Sequence, residues 1–122
     1  MIDGRDIALF AARMSDDKKA EDVIIYDVRG LSDITNYFVI ATASSKAQVR
    51  AIIETIKRDL KDRGVTKIGQ EGNENGQWVL IDYGDCVVHV FSPALRDYYG
   101  LESMWGDGPK VDWTVEEPVG LK

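Results

Sequence analysis

The sequence predicts an α/β fold, a small mixed β-sheet with helices packed mainly on one face, and three observations predict it. Residues 23–28 (VIIYDV) and 37–42 (YFVIAT) are strand-length runs rich in β-branched and aromatic side chains. Val49, Ile52, Ile53, Ile56 and Leu60 then recur at helical spacing. Residues 78–93 (WVLIDYGDCVVHVFSP) read as a β-hairpin.

Each element has a local cause. Asp3, with Asp6 three residues on, opens a first helix whose apolar stripe is Ile7, Ala8, Ala11 and Met14, with Phe10 beside Met14. Residues 18–21 form a polar link. The run at 23–28 suits a central strand covered on both faces, and Gly30 ends it. Residues 33–36 connect it to the strand at 37–42. Ser45 followed by Gln48 fits a capping box, Glu54 and Arg58 are spaced to pair across one turn, and Gly64 stops the second helix. Residues 65–68 read as a weak edge strand and residues 71–76 as a loop. After the hairpin a helix is expected from about Ala94, with Pro93 at its first position. Gly100, Gly106 and Gly108 interrupt the rest of the chain, and beyond Trp113 no periodicity remains. The order is α-β-β-α-β-β-β-α in one domain, residues 1–113, with residues 114–122 as an extended or flexible tail.

The hairpin turn sets a register that sorts its side chains. A two-residue turn at Gly84-Asp85 pairs Tyr83 with Cys86, Ile81 with Val88 and Val79 with Val90. One face then holds Val79, Ile81, Tyr83, Cys86, Val88 and Val90, and is the expected core. The other holds Trp78, Leu80, Asp82, Val87, His89 and Phe91, a mixture of aromatics, aliphatics, a carboxylate and the single histidine. Two readings stand for this second face: a protein-contact surface anchored by aromatics, or a face covered by a helix. Tyr98, Tyr99, Trp105 and Asp107 come directly after the hairpin and would extend the first reading into one acidic-aromatic patch.

At 122 residues, 44% hydrophobic and 30% charged, the chain has the composition of an ordinary folded domain. The apolar runs are strand-sized, so no membrane helix is expected, and the acidic start does not resemble a signal peptide. With one cysteine, Cys86, no internal disulfide can form, and a cytoplasmic location is the default expectation. The net charge of −6 is uneven: residues 82–122 hold eight acids against three bases, whereas residues 1–81 hold thirteen against twelve. An acidic, aromatic-bearing end repels phosphate backbones and suits a basic protein surface.

Catalytic arrangements are hard to assemble. Gly72 and Gly76 lack the Lys-Ser/Thr that a phosphate loop needs. Cys86 and His89 lie three apart on one strand, so they point to opposite faces and cannot form a nucleophile pair. Metal-dependent transfer needs two converging carboxylates; Asp82 and Asp85 straddle a turn, and Asp27 has Arg29 where a second acid would stand. Glu71, Asn73, Asn75, Gly76 and Asp82 mimic a calcium loop, but the strand-like segment after them contradicts an EF-hand, which needs a helix there. No metal or cofactor is expected.

Six motifs in order carry a resemblance: DVRGL (27–31), NYFVIAT (36–42), QVR (48–50), WVLIDYGD (78–85), VHVFSP (88–93) and YYxLExxWGD (98–107). Together they resemble the ribosomal silencing factor, or Iojap-related, family from the first helix to about Trp113. The resemblance implies a nucleotidyltransferase-like fold without the catalytic carboxylates. It further implies binding to the large ribosomal subunit through its fourteenth protein, which would block subunit joining and repress translation under nutrient limitation, and a homodimer when free. The contact residues expected are Trp78, Leu80, Asp82, His89, Phe91, Tyr98, Tyr99, Trp105 and Asp107, facing a basic protein surface and neither a membrane nor a specific nucleic-acid sequence. A nucleotide-processing enzyme of nucleotidyltransferase type is the alternative, and a small adaptor a third.

Overall fold

The computed structural model describes residues 2–72, 77–94, 96 and 108–118. Fully described are the helices α1 (Gly4–Asp17) and α2 (Lys46–Asp62) and the strands β1 (Glu21–Asp27), β2 (Tyr37–Thr42), β3 (Gly69–Gly72), β4 (Trp78–Asp82), β5 (Cys86–Phe91) and β6 (Lys110–Val111). The strand order is β3-β4-β5-β2-β1-β6, with β2 and β5 parallel and every other neighbour antiparallel. The expected mixed sheet with helices mainly on one face is what forms.

Both helices start and stop as their sequences dictate. The Asp3 carboxylate accepts from the Asp6 N–H at 2.9 Å, and the Ser45 hydroxyl accepts from the Gln48 N–H at 3.1 Å. The Gln48 side chain reaches back to the Ser44 N–H at 2.6 Å rather than to that of Ser45, one residue beyond the usual box. At the far end Gly64 has φ +87°; its N–H bonds Lys61 O and that of Val65 bonds Leu60 O, a Schellman stop. Glu54 pairs with Lys57 at 3.5 Å, not with the Arg58 that its spacing suggested.

The core lies between the helices and one face of the sheet. The α2 residues Val49, Ile52, Ile53, Ile56 and Leu60 are all buried, together with Val79, Ile81, Tyr83, Cys86, Val88 and Val90 of the hairpin. The expected stripe of α1 is wider in the structure, since Leu9 and Ala12 are buried as well as Ile7, Ala8, Phe10 and Ala11. This helix packs on α2 and on the central strands at once, which buries more than one side of it. Glu116 and Glu117, beyond Trp113, also lie against it. Arg5 pairs with Glu116, and Arg13 holds Glu117 at 3.1 Å and Glu116 O at 2.6 Å. Residues 114–118 thus have no helix or strand but are pinned in place, and two of the acids near the chain end are neutralised internally.

Two strands depart from expectation. Residues 65–68 do not pair as the edge strand; Gly69–Gly72 does, partly within the segment read as loop. Its sequence, GQEG, has little intrinsic strand preference, and the free edge of β4 recruits it regardless. β6, only two residues long, is absent from the expected order; Lys110 and Val111 pair with Tyr26 and Ile25, too short a segment to show periodicity. The helix entry is as expected: Pro93 and Ala94 are helical, and Ser92 O accepts from the Arg96 N–H at 3.0 Å. The rest of that element lies outside the described residues.

Candidate functional site

The hairpin register is the one that its turn dictates. Val79 faces Val90, Ile81 faces Val88, and the Tyr83 N–H donates to Cys86 O at 2.9 Å. Gly84, with φ +87°, takes the positive-φ conformation that glycine tolerates best, and the Asp85 N–H turns back onto Tyr83 O at 3.2 Å. Asp82 Oδ1 accepts from the Gly84 N–H at 2.7 Å, so this carboxylate also fixes the turn.

The second face of the sheet is itself packed. Tyr26, Val28, Phe38, Ile40, Val87 and Phe91 form a buried cluster, with Ile24, Trp78 and Leu80 partly covered at its margin. His89 and Phe91, expected as contact groups, are 7% and 2% exposed. Their strand, β5, runs in mid-sheet between β4 and β2, whereas β4 is one strand from the edge and leaves Trp78, Leu80 and Asp82 only partly buried. These three alternate along one strand, so they form a row about 13 Å long. The indole of Trp78 stacks on Phe91 at 6.4 Å and 16°, and His89 stacks on Phe91 at 5.5 Å and 9°. The buried rings form a floor beneath the partly buried row. Tyr98, Tyr99, Trp105 and Asp107 lie outside the described residues.

His89 lies between Leu80 of β4 and Ile40 of β2, and neither ring nitrogen has a hydrogen-bond partner among the described residues. Burial pulls its pKa down to about 4, so the ring is neutral at pH 7. Between pH 6.5 and 4 the unfolded chain takes up a proton that the folded chain resists. Stability is therefore complete above pH 6.5 and is lost as pH falls through this window, by about 3 kcal/mol in total. Urea denaturation of wild type and His89→Leu at pH 7 and pH 4.5 measures it. The variant should lose less on acidification, and equal losses would contradict the assignment.

The groups that an enzyme would need are placed apart. Arg29 grips Asp27 at both oxygens, Nε to Oδ1 at 2.9 Å and Nη2 to Oδ2 at 2.7 Å, and its hydrogen bonds hold that carboxyl below the usual range. Cys86 and His89 are on opposite faces, and burial pushes the Cys86 thiol up, so it stays protonated. Among the described residues no three His, Cys, Asp or Glu side chains are grouped to hold a metal ion. No described helix is long and apolar enough to cross a membrane.

Two structural side chains carry no signal in the sequence. Arg96, 6% exposed, donates from Nη1 to Asp22 O at 2.6 Å and to Thr42 Oγ1 at 2.7 Å. It thereby fills the irregularity where β1 steps out of register with β2 between Glu21 and Ile24. Trp113 donates from Nε1 to Val23 O at 2.9 Å. An isolated Arg or Trp in an aperiodic stretch gives no sign of such distant partners.

The class so defined is a small mixed-sheet domain whose distinguishing surface is a short row of aromatic, aliphatic and acidic side chains. The family model described as ribosomal silencing factor during starvation (RsfS) matches residues 2–120, and the chain belongs to that family. The ribosomal silencing factor RsfS of Bacillus subtilis is 43% identical over 108 residues, 88% of this chain and 92% of its own length. The chloroplastic protein Iojap of Arabidopsis thaliana is 34% identical over 110 residues, 90% of this chain but 46% of its own. A crystal structure from Chromobacterium violaceum superimposes with a TM-score of 0.81 at 37% identity, covering 99% of this chain and all of that one.

Proposed function

We propose that this protein binds the large ribosomal subunit at its fourteenth protein, blocks joining of the small subunit and so represses translation when nutrients are limiting. It acts in the cytoplasm as a steric inhibitor without catalysis, and it is a homodimer when free. The match to the silencing-factor family over nearly the whole chain carries this reading. The partly buried row of Trp78, Leu80 and Asp82 supports it, being the kind of surface on which aromatics anchor and acids steer toward a basic partner. His89 and Phe91 contribute by supporting that row from below. Tyr98, Tyr99, Trp105 and Asp107 complete the proposed contact set.

Sedimentation with purified subunits tests the reading. The protein should pellet with large subunits and not with small ones, and large subunits preloaded with it should fail to form whole ribosomes. Remaining in the supernatant with large subunits in excess would refute it. Association should weaken as salt rises, because exposed charges are screened beyond about 10 Å at 0.1 M ionic strength. Asp82→Asn with Asp107→Asn should slow association more than it changes stability, since Asn keeps the oxygen that accepts from Gly84. Unchanged association kinetics would show that these acids do not steer.

A further inference from the structure

The basic side chains that the acidic end lacks are collected elsewhere. Residues 46–67, which are α2 and the link after it, hold seven bases against three acids in a chain of net charge −6. Glu54, Lys57, Arg58 and Lys61 stand at i, i+3, i+4 and i+7 and so share one side of α2. They line an open cleft of about 440 Å³, with Lys67 and Tyr83 among the other lining residues. Lys57 is engaged by Glu54 at 3.5 Å and by Gln70 at 3.3 Å. Arg58, Lys61 and Lys67 are exposed and make no ion pair among the described residues.

We infer that this cleft docks on an RNA phosphate backbone, giving the protein a second, sequence-independent attachment. Its geometry favours a backbone over a compact ligand. The cations are exposed on an open cleft, and Lys46 and Arg50 carry the positive charge along α2 for about 22 Å. Such a strip tracks a polyanion and has no enclosed polar pocket with which to read a base. It also lies on the helix side of the sheet, whereas Trp78, Leu80 and Asp82 belong to the opposite face. The two surfaces can therefore be occupied together. The inference rests on the proposed function only for where RNA is met, since a ribosomal subunit offers it beside its proteins.

Fluorescence anisotropy with a labelled RNA duplex of arbitrary sequence, titrated with the full chain, needs no ribosome and so tests the cleft separately. Three phosphate contacts predict that affinity falls about 40-fold between 50 and 200 mM salt. The triple variant Arg58→Gln, Lys61→Gln, Lys67→Gln should lose most of that dependence and bind weakly even at 50 mM, while Trp78→Ala binds RNA as wild type does. No RNA binding by the wild type at 50 mM salt, or equal binding by the triple variant, overturns the inference. Binding of poly-glutamate in place of RNA also overturns it, by assigning the cleft to an acidic protein. If RNA binds but large subunits do not, the proposed function fails and the cleft stands; the reverse result spares the function and removes the cleft.

Discussion

Ile81→Ala should destabilise the fold by roughly 2–5 kcal/mol, the usual cost of removing a large aliphatic side chain from a close-packed core. Ile81 is fully buried on β4, opposite Val88, in the cluster that joins the sheet to both helices. Its neighbours Val79, Val88 and Val90 are also fully buried and cannot relax into the space without moving the strands that carry them. Chemical denaturation measures this as a fall in midpoint with unchanged slope. A loss below about 1 kcal/mol would mean that the site collapses freely, contrary to the packing described.

Trp78→Ala probes the other side of the same strand, three residues away. The indole is partly buried and rests on Phe91, so truncation should cost about 1–2 kcal/mol of stability, less than at Ile81. Binding to the large subunit should suffer more, by at least about 2 kcal/mol or some 30-fold in Kd, as for aromatic anchors at other interfaces. The pair of variants forms a cross-check, because a one-residue slip in register would exchange the two faces. If Trp78→Ala unfolds the protein while Ile81→Ala spares it, the assignment of faces is inverted. Full subunit binding by a folded Trp78→Ala protein would remove this row from the interface.

The strongest sequence signals are those that turn geometry or helical period enforces. Gly84-Asp85 permits one register, and all five residue pairs of β4 with β5 obey it. The same alternation places Val79, Ile81 and Val88 in the core and puts Cys86 and His89 on opposite faces. The buried set of α2 matches its apolar spacing residue for residue. Elements whose cause lies far along the chain are not legible. β3 forms from Gly-Gln-Glu-Gly because β4 presents an edge, and β6 because β1 does. The depth of His89 and Phe91 comes from β5 lying between two strands, and that strand order is written in no local pattern. Sequence periodicity thus tells which side chains share a face, but not how deeply that face is covered.

The parallel pairing of β2 with β5 constrains how quickly this chain reaches its native state. Tyr37 meets Cys86 and Thr42 meets Phe91, a separation of 49 residues, and α2, β3 and β4 all lie within the loop so closed. The β4–β5 hairpin, by contrast, closes through two residues and can form within microseconds. Loop-closure entropy must be met before the β2–β5 ladder gives any return, so this pairing is expected to form more slowly than the hairpin. Until it is complete, one long edge of the hairpin, Cys86–Phe91, lacks its neighbour and presents a nearly continuous apolar strand to other nascent chains. Conditions that slow that closure therefore raise the tendency to aggregate even where the finished structure is stable.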